Sequence, residues 1–290
     1  MAFNVYSKAY LRSTRNPVGL LFLQGAGGVI VLGLFWRAGV VDLRADLSPP
    51  AARRLAMAAF GHSSQALFTN FAVYVGGVAV TNALKALEPV AAAVLSYAML
   101  KKTVSATRFA ALLAVVAGIL TLTWKGKGGG ADHIVLSAAF TFGAVVGNAF
   151  RNVVLKSGTP IPPFMTLFAC SAAATVAGTA ILLLRIIGHG MDDLLGYRIE
   201  GGSETSEEVA GIVRFSGVLS SLCYVGFQFA SFNLLAFLTP VAHAIGNSVK
   251  RVFVFGTGIL LLGEMMTARQ LGGVAIAMLG VLGYGLAGTK

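Results

Sequence analysis

The sequence predicts an all-α membrane protein of ten helices, and three observations lead there. Only 11% of the 290 residues are charged and 56% are hydrophobic, whereas a soluble domain carries about 25% charged residues, so most of the surface has to face lipid. The apolar residues fall into runs of about 20, the length that carries a helix across a bilayer. The 36 glycines, with alanine throughout, suit helix contacts in a membrane, where small residues let backbones approach.

The elements follow in order. A stub, roughly Ala2–Leu11, opens the chain, and fuller apolar segments lie near 17–38, 53–75, 78–99, 105–124, 133–155, 160–187, 210–235, 239–262 and 267–287. Turn-forming and charged residues separate them: Ser48-Pro49-Pro50, Lys101-Lys102, Lys125-Gly126-Lys127, and Pro160 with Pro162-Pro163. The longest polar stretch, about 189–209, holds Asp192, Asp193, Glu200, Glu204, Glu207 and Glu208 and reads as a solvated loop. An even number of spans puts both termini on one side. Loop lysines and arginines fall almost equally on the two sides, so the positive-inside rule assigns no orientation. Cys170 and Cys223 sit in apolar runs and read as core residues.

An internal repeat organises the segments. Asn82-Ala83-Leu84-Lys85 recurs as Asn247-Ser248-Val249-Lys250. Each copy is expected to start a helix, followed by a short polar turn and a final Gly-rich helix. Two halves of five helices have opposite orientations in the membrane, so the repeat predicts inverted halves, about 1–128 and 129–290, in a single transmembrane domain.

The charge of +11 suggests neither nucleic acid nor a membrane surface as partner, because the basic residues are scattered and form no tract. Four charged residues lie well inside apolar segments: Lys85, Glu88, Lys250 and Arg251. Each cation at a helix centre costs about 2.5–3.5 kcal/mol, and three cost on the order of 8–10 kcal/mol, unless they face a wet cavity and meet an anion. With a single acid nearby the set stays net positive. Arg supplies a planar fork and Lys a compact movable charge, a combination that suits phosphate. Glu88, one turn from Lys85 and just before Pro89, reads as a structural partner or N-cap acceptor rather than a proton carrier. His62 and His243 read as satisfied hydrogen-bonders rather than ligands. No metal-ligand spacing, nucleophile–base pair or Gly-rich phosphate loop is evident, so neither an enzyme nor a cofactor is expected.

At Lys250 and Arg251 the residues match a known pattern. The run Thr239-Pro240-Val241-Ala242-His243-Ala244-Ile245-Gly246-Asn247-Ser248-Val249-Lys250-Arg251-Val252 resembles the plastid phosphate translocators of the drug/metabolite transporter superfamily. Leu67-Phe68-Thr69-Asn70, Leu84-Lys85-Ala86-Leu87-Glu88-Pro89 and the opening Phe3-Asn4-Val5-Tyr6-Ser7-Lys8 agree. The resemblance implies the superfamily's ten-helix inverted-repeat fold with the first helix truncated, so that a start codon, or a transit peptide and half a helix, is expected to be missing. It also implies a strict exchange of inorganic phosphate for a phosphorylated three-carbon compound (triose phosphate, 3-phosphoglycerate or phosphoenolpyruvate). A nucleotide-sugar or a hexose- or pentose-phosphate transporter is the alternative. The implied setting is a plastid inner envelope, or otherwise a Golgi or endoplasmic reticulum membrane, with a second copy of the chain as a candidate partner.

By the same resemblance Lys85, Lys250 and Arg251 grip the phosphate, with a supporting hydroxyl from Thr69. Two positions depart from the pattern. Ala66 stands where triose-phosphate members have a site histidine, with His62 one turn before it. Phe227 stands where members have a site tyrosine, with Tyr224 one turn earlier. His62, Tyr224 and Phe227 are thereby expected to contact the phosphate or the rest of the substrate.

Overall fold

The computed structural model describes residues 2–43, 47–101, 103, 105–123, 131–189, 206–239 and 266–287, with isolated positions (242, 243, 246, 247, 250 and 254) between them. Among these residues there are nine α-helices: α1 (Ala2–Thr14), α2 (Pro17–Arg37), α3 (Pro49–Leu84), α4 (Glu88–Leu100), α5 (Ala106–Thr123), α6 (Ala131–Leu155), α7 (Pro163–His189), α8 (Ser206–Phe237) and α9 (Ala268–Leu286). A 3-10 turn, Lys85–Leu87, joins α3 to α4. Six helical stretches are long and apolar enough to cross a membrane, and the chain is an all-α, multi-pass membrane protein. Most of the expected segment 239–262, and residues 190–205 of the acidic loop, lie outside the described residues.

Local chemistry sets the ends of several helices. The side chain of Asn16 caps α2 by accepting from the Gly19 N–H at 2.8 Å, with Pro17 at the first helical position, where its missing donor costs nothing. At α9, Thr267 and Gln270 form a reciprocal capping box, which satisfies two otherwise orphaned N–H groups.

The segments expected at 53–75 and 78–99 divide differently in the structure. The expected gap between them is a kink at Gly77, whose φ of 82° and ψ of 175° belong to a region open in practice only to glycine. The helix resumes at once and is held by side chains: Thr81 Oγ1 donates to the Gly77 carbonyl at 2.6 Å and Asn82 Nδ2 to that of Val78 at 2.8 Å. Asn82 therefore sits near the end of a helix rather than at the start of one. Pro89 explains the next break. Having no N–H, it cannot reach back to the Lys85 carbonyl. Instead the Glu88 N–H takes that carbonyl and tightens the turn to 3-10 geometry. Leu87 is the N-cap of α4, and Glu88 is its first residue, buried and placed where a helix N-terminus favours negative charge.

The chain forms two compact units, Met1–Asn70 with Ile161–Asn233, and Phe71–Pro160 with Leu234–Lys290. Each draws helices from both halves of the sequence. In unit 1, α2 packs on α7 through glycine: a Cβ at Gly25 would stand 2.6 Å from the Thr175 nitrogen, and one at Gly178 3.0 Å from Phe22 Cα. Ser221 Oγ donates to the Leu23 carbonyl at 2.7 Å, and the Ser7 and Ser220 hydroxyls meet at 2.8 Å. Cys170 is a core residue and Cys223 is half-buried, and neither is in a disulfide. In unit 2, α5 packs on α9 and α4 on α6. Val115 and Ile119 of α5 meet Val274, Ala277 and Val281 of α9, over Val80, Leu84 and Ala86.

Candidate functional site

In unit 1 the structure brings together two of the residues singled out from sequence. His62, wholly buried in the interior of α3, lies with Nε2 3.0 Å from the Tyr224 hydroxyl on α8. Gln228, one turn beyond Tyr224, completes the group. Its Nε2 donates to the Tyr224 oxygen at 3.0 Å and approaches the two ring nitrogens of His62 at 3.3 and 3.4 Å. The Tyr224 oxygen accepts from Gln228, and the tautomer of the His62 ring decides which of the two partners donates in the Tyr224–Nε2 contact. Phe3 packs on Tyr224 and Phe232 on His62, with ring centroids 5.2 and 5.9 Å apart, which keeps the polar trio dry. A buried polar network is stable only when its members satisfy one another. Gln228 had no sequence signal beyond being a polar residue in an apolar helix four places after a tyrosine. Phe227 is half-buried on the adjoining turn.

Thr69 lies seven residues beyond His62 on α3, or about 10 Å along the axis. Its hydroxyl is buried and has no hydrogen-bond partner among the described residues. The contrast within the chain is informative. Seven other helix threonines, at 14, 81, 121, 141, 166, 175 and 179, bond back to the carbonyl four residues before them. Thr69 has the same option and does not take it. A buried unpaired hydroxyl costs about 1–3 kcal/mol, so this one calls for an explanation outside its own helix. Its neighbour Asn70 donates to the Pro17 carbonyl at 3.4 Å and to Gln24 Oε1 at 3.3 Å. Gln24, wholly buried, keeps an unpartnered Nε2.

In unit 2, Lys85 stands in the 3-10 turn. It is half-buried between Leu84 and Ala86, which are almost completely buried. Lys250 is helical and exposed. Arg251 lies outside the described residues. A buried polar group in the same unit escaped the sequence reading. Arg151 of α6 is 2% exposed, and its Nε and Nη2 donate to Asn152 Oδ1 at 3.0 and 2.9 Å. Asn152 Nδ2 is 3.4 Å from His243 Nδ1, and Asn247 Nδ2 meets the same nitrogen at 3.4 Å. His243 is thus a hydrogen-bonder, as expected. Arg151 sits four positions before the predicted end of its segment, where a cation reads as terminal. Its signal was the asparagine pair, Asn148 and Asn152, on the same stretch of helix.

The model of the Triose-phosphate Transporter family matches residues 1–285. Among curated proteins, the chain is 23% identical to a triose phosphate/phosphate translocator of non-green plastids from Brassica oleracea var. botrytis, over 97% of this chain and 68% of that protein. It is 23% identical to the chloroplastic phosphoenolpyruvate/phosphate translocator 1 of Arabidopsis thaliana, over 97% of this chain and 67% of that one. With translocator 3 of Oryza sativa subsp. japonica the identity is 26%, over 97% and 70%. A solved crystal structure with 16% identity, covering 99% of this chain and 94% of its own, superposes with a TM-score of 0.63, which shows a common fold.

Proposed function

Because the chain belongs to the Triose-phosphate Transporter family, we propose that it is an antiporter that exchanges inorganic phosphate for a phosphorylated three-carbon compound across the inner envelope membrane of a plastid. Its curated relatives are named for triose phosphate or phosphoenolpyruvate together with phosphate and are described as chloroplastic. In this reading Lys85, Lys250 and Arg251 neutralise the phosphate, and Thr69 donates to one of its oxygens. The observation that carries the reading is the buried Thr69 hydroxyl, which leaves its own helix carbonyl unused. A phosphate oxygen is the acceptor it lacks.

Exchange follows from the electrostatics. With anion bound, the cations are neutralised and the site closes to water at little cost. Empty, they pass through closure unpaired, at several kcal/mol each. In liposomes loaded with phosphate, efflux is therefore expected only when phosphate, triose phosphate, 3-phosphoglycerate or phosphoenolpyruvate is supplied outside. Equal efflux into substrate-free buffer overturns the exchange mechanism. Competition by nucleotide monophosphates in the same assay overturns the three-carbon substrate in favour of a nucleotide-sugar carrier.

His62, Tyr224 and Phe227 serve the organic part of the substrate. Tyr224→Phe removes the hydroxyl that joins His62 to Gln228, without touching the phosphate grip. The expected result is phosphate/phosphate exchange within about twofold of the parent and a change of about tenfold in the ratio of phosphoenolpyruvate to triose phosphate uptake, a difference near 1.4 kcal/mol. Loss of both activities in equal proportion assigns the tyrosine to folding instead.

A further inference from the structure

Away from the residues assigned to transport, unit 2 carries an apolar groove of about 390 Å³ along the seam of α4 and α5. Its floor is Ala93 and Leu112, both buried, and its walls are Val94, Tyr97, Phe109 and Leu113, all more than half exposed. The seam is open because each helix has its main partner elsewhere, α5 on α9 and α4 on α6. From Val90 to Tyr97 the groove follows α4 for about 10 Å, parallel to the helices rather than across them. Thr103 marks one end, in the short connection between α4 and α5.

That end is basic. Lys101, Lys102 and Arg108 cluster within eight positions, and no acidic residue occurs between Glu88 and Asp132. Lys101 terminates α4 in the left-handed conformation, φ 55°, and is exposed. The Arg108 guanidinium lies 5.6 Å from the centroid of the Tyr284 ring, and its Nε is buried without a hydrogen-bond partner. Tyr284 packs on Ala93 and Leu112, the floor of the groove. An apolar slot along the helices, with cations at the end nearest the polar connection, matches an amphiphile whose tail is hydrocarbon and whose head is an anion.

We propose that this groove is a binding site for an anionic phospholipid, one acyl chain lying between Val94, Tyr97, Phe109 and Leu113 and the phosphate held by Lys101 and Arg108. A second copy of the chain fits less well. A stable protein interface takes about 20–30 residues a side, and nine line the groove. Basic pockets between membrane helices are where anionic headgroups are held.

The test is native mass spectrometry of the full chain in detergent, offered phosphatidylglycerol and phosphatidylcholine with identical acyl chains in equal amounts. Phosphatidylglycerol is expected to be retained with a preference on the order of tenfold. Lys101→Ala with Arg108→Ala should remove the preference and leave weak binding of both lipids. Leu113→Trp, or Val94→Trp on the opposite wall, should exclude both, with helix content checked by circular dichroism. Equal retention of the two lipids by the parent overturns the proposal, as does a preference that survives loss of both cations. So does a protein dimer that disappears when the groove is filled. The readout is bound lipid, so the outcome does not depend on what the chain transports.

Discussion

Alanine at Lys85 is expected to abolish phosphate exchange while leaving the folded protein intact. Hydrogen bonds to charged groups contribute about 1.5–3 kcal/mol each, so losing two of them lowers affinity by roughly 10²–10⁴-fold. Lys85 is half-buried in a 3-10 turn and stands beside the core without being part of it, so little packing is lost with it. Thermal unfolding in detergent should shift by no more than a few degrees. Lys250→Ala and Arg251→Ala are expected to behave alike, and Arg251→Lys should recover only part of the activity, since a point charge does not reproduce a planar fork. Transport measured in liposomes at saturating and limiting phosphate separates weakened binding from failure to move. Full activity in any one alanine variant removes that residue from the grip. Thr69→Val gives a finer check. It keeps the shape, deletes a hydroxyl that bonds nothing in its own unit, and should weaken phosphate by about tenfold without destabilising the protein.

Leucine at Gly280 is expected to damage the fold severely. A Cβ there would lie 2.7 Å from the Val115 nitrogen and 2.8 Å from the Ala111 carbonyl oxygen. Both are backbone atoms of α5 and cannot swing aside, so the helices have to separate. Separation opens the cluster of Val115, Ala277 and Val281, each nearly inaccessible. Overpacking costs about 1–3 kcal/mol where side chains can adjust, and more is expected here because none of the adjustment can come from rotamers. Gly272→Leu on the same helix is the control. Among the described residues nothing lies within 4 Å of its Cβ position, and replacing glycine in a helix favours folding by up to about 1 kcal/mol. Parallel unfolding curves for the two variants would show that the α5–α9 seam is not packed backbone to backbone.

Much of this architecture is legible in one sequence because the bilayer imposes it. Apolar runs of membrane length mark α2, α5, α6, α7, α8 and α9 with ends shifted by only a few residues. The break expected between 75 and 78 coincides with Gly77, since only glycine takes the backbone conformation used there. The turn at Lys85 was less legible, because it results from Pro89 withholding a donor four residues downstream while Thr81 and Asn82 hold the preceding helix together. Contacts across the sequence were not readable at all. His62 and Tyr224 are 162 positions apart, and each alone is an ordinary polar aromatic in an apolar helix. Arg151 is hidden in the sequence for the opposite reason. Its place near the end of an apolar run gives it the appearance of an interfacial cation, and only its burial against Asn152 shows otherwise.

The distribution of sulfur in the molecule has a practical use. Both cysteines of the chain fall in unit 1, Cys170 in its core and Cys223 half-buried, so unit 2 has no thiol of its own. A cysteine placed at Lys85 is then alone in its unit and can be alkylated with 2-bromoethylamine. The product is a lysine analogue with sulfur in place of one methylene, and it carries the same ammonium at nearly the same reach. The parent chain under the same treatment reports any effect of modifying Cys223. Activity lost on Lys85→Cys and regained on alkylation would tie transport to one positive charge at one position, by chemistry done after the protein has folded.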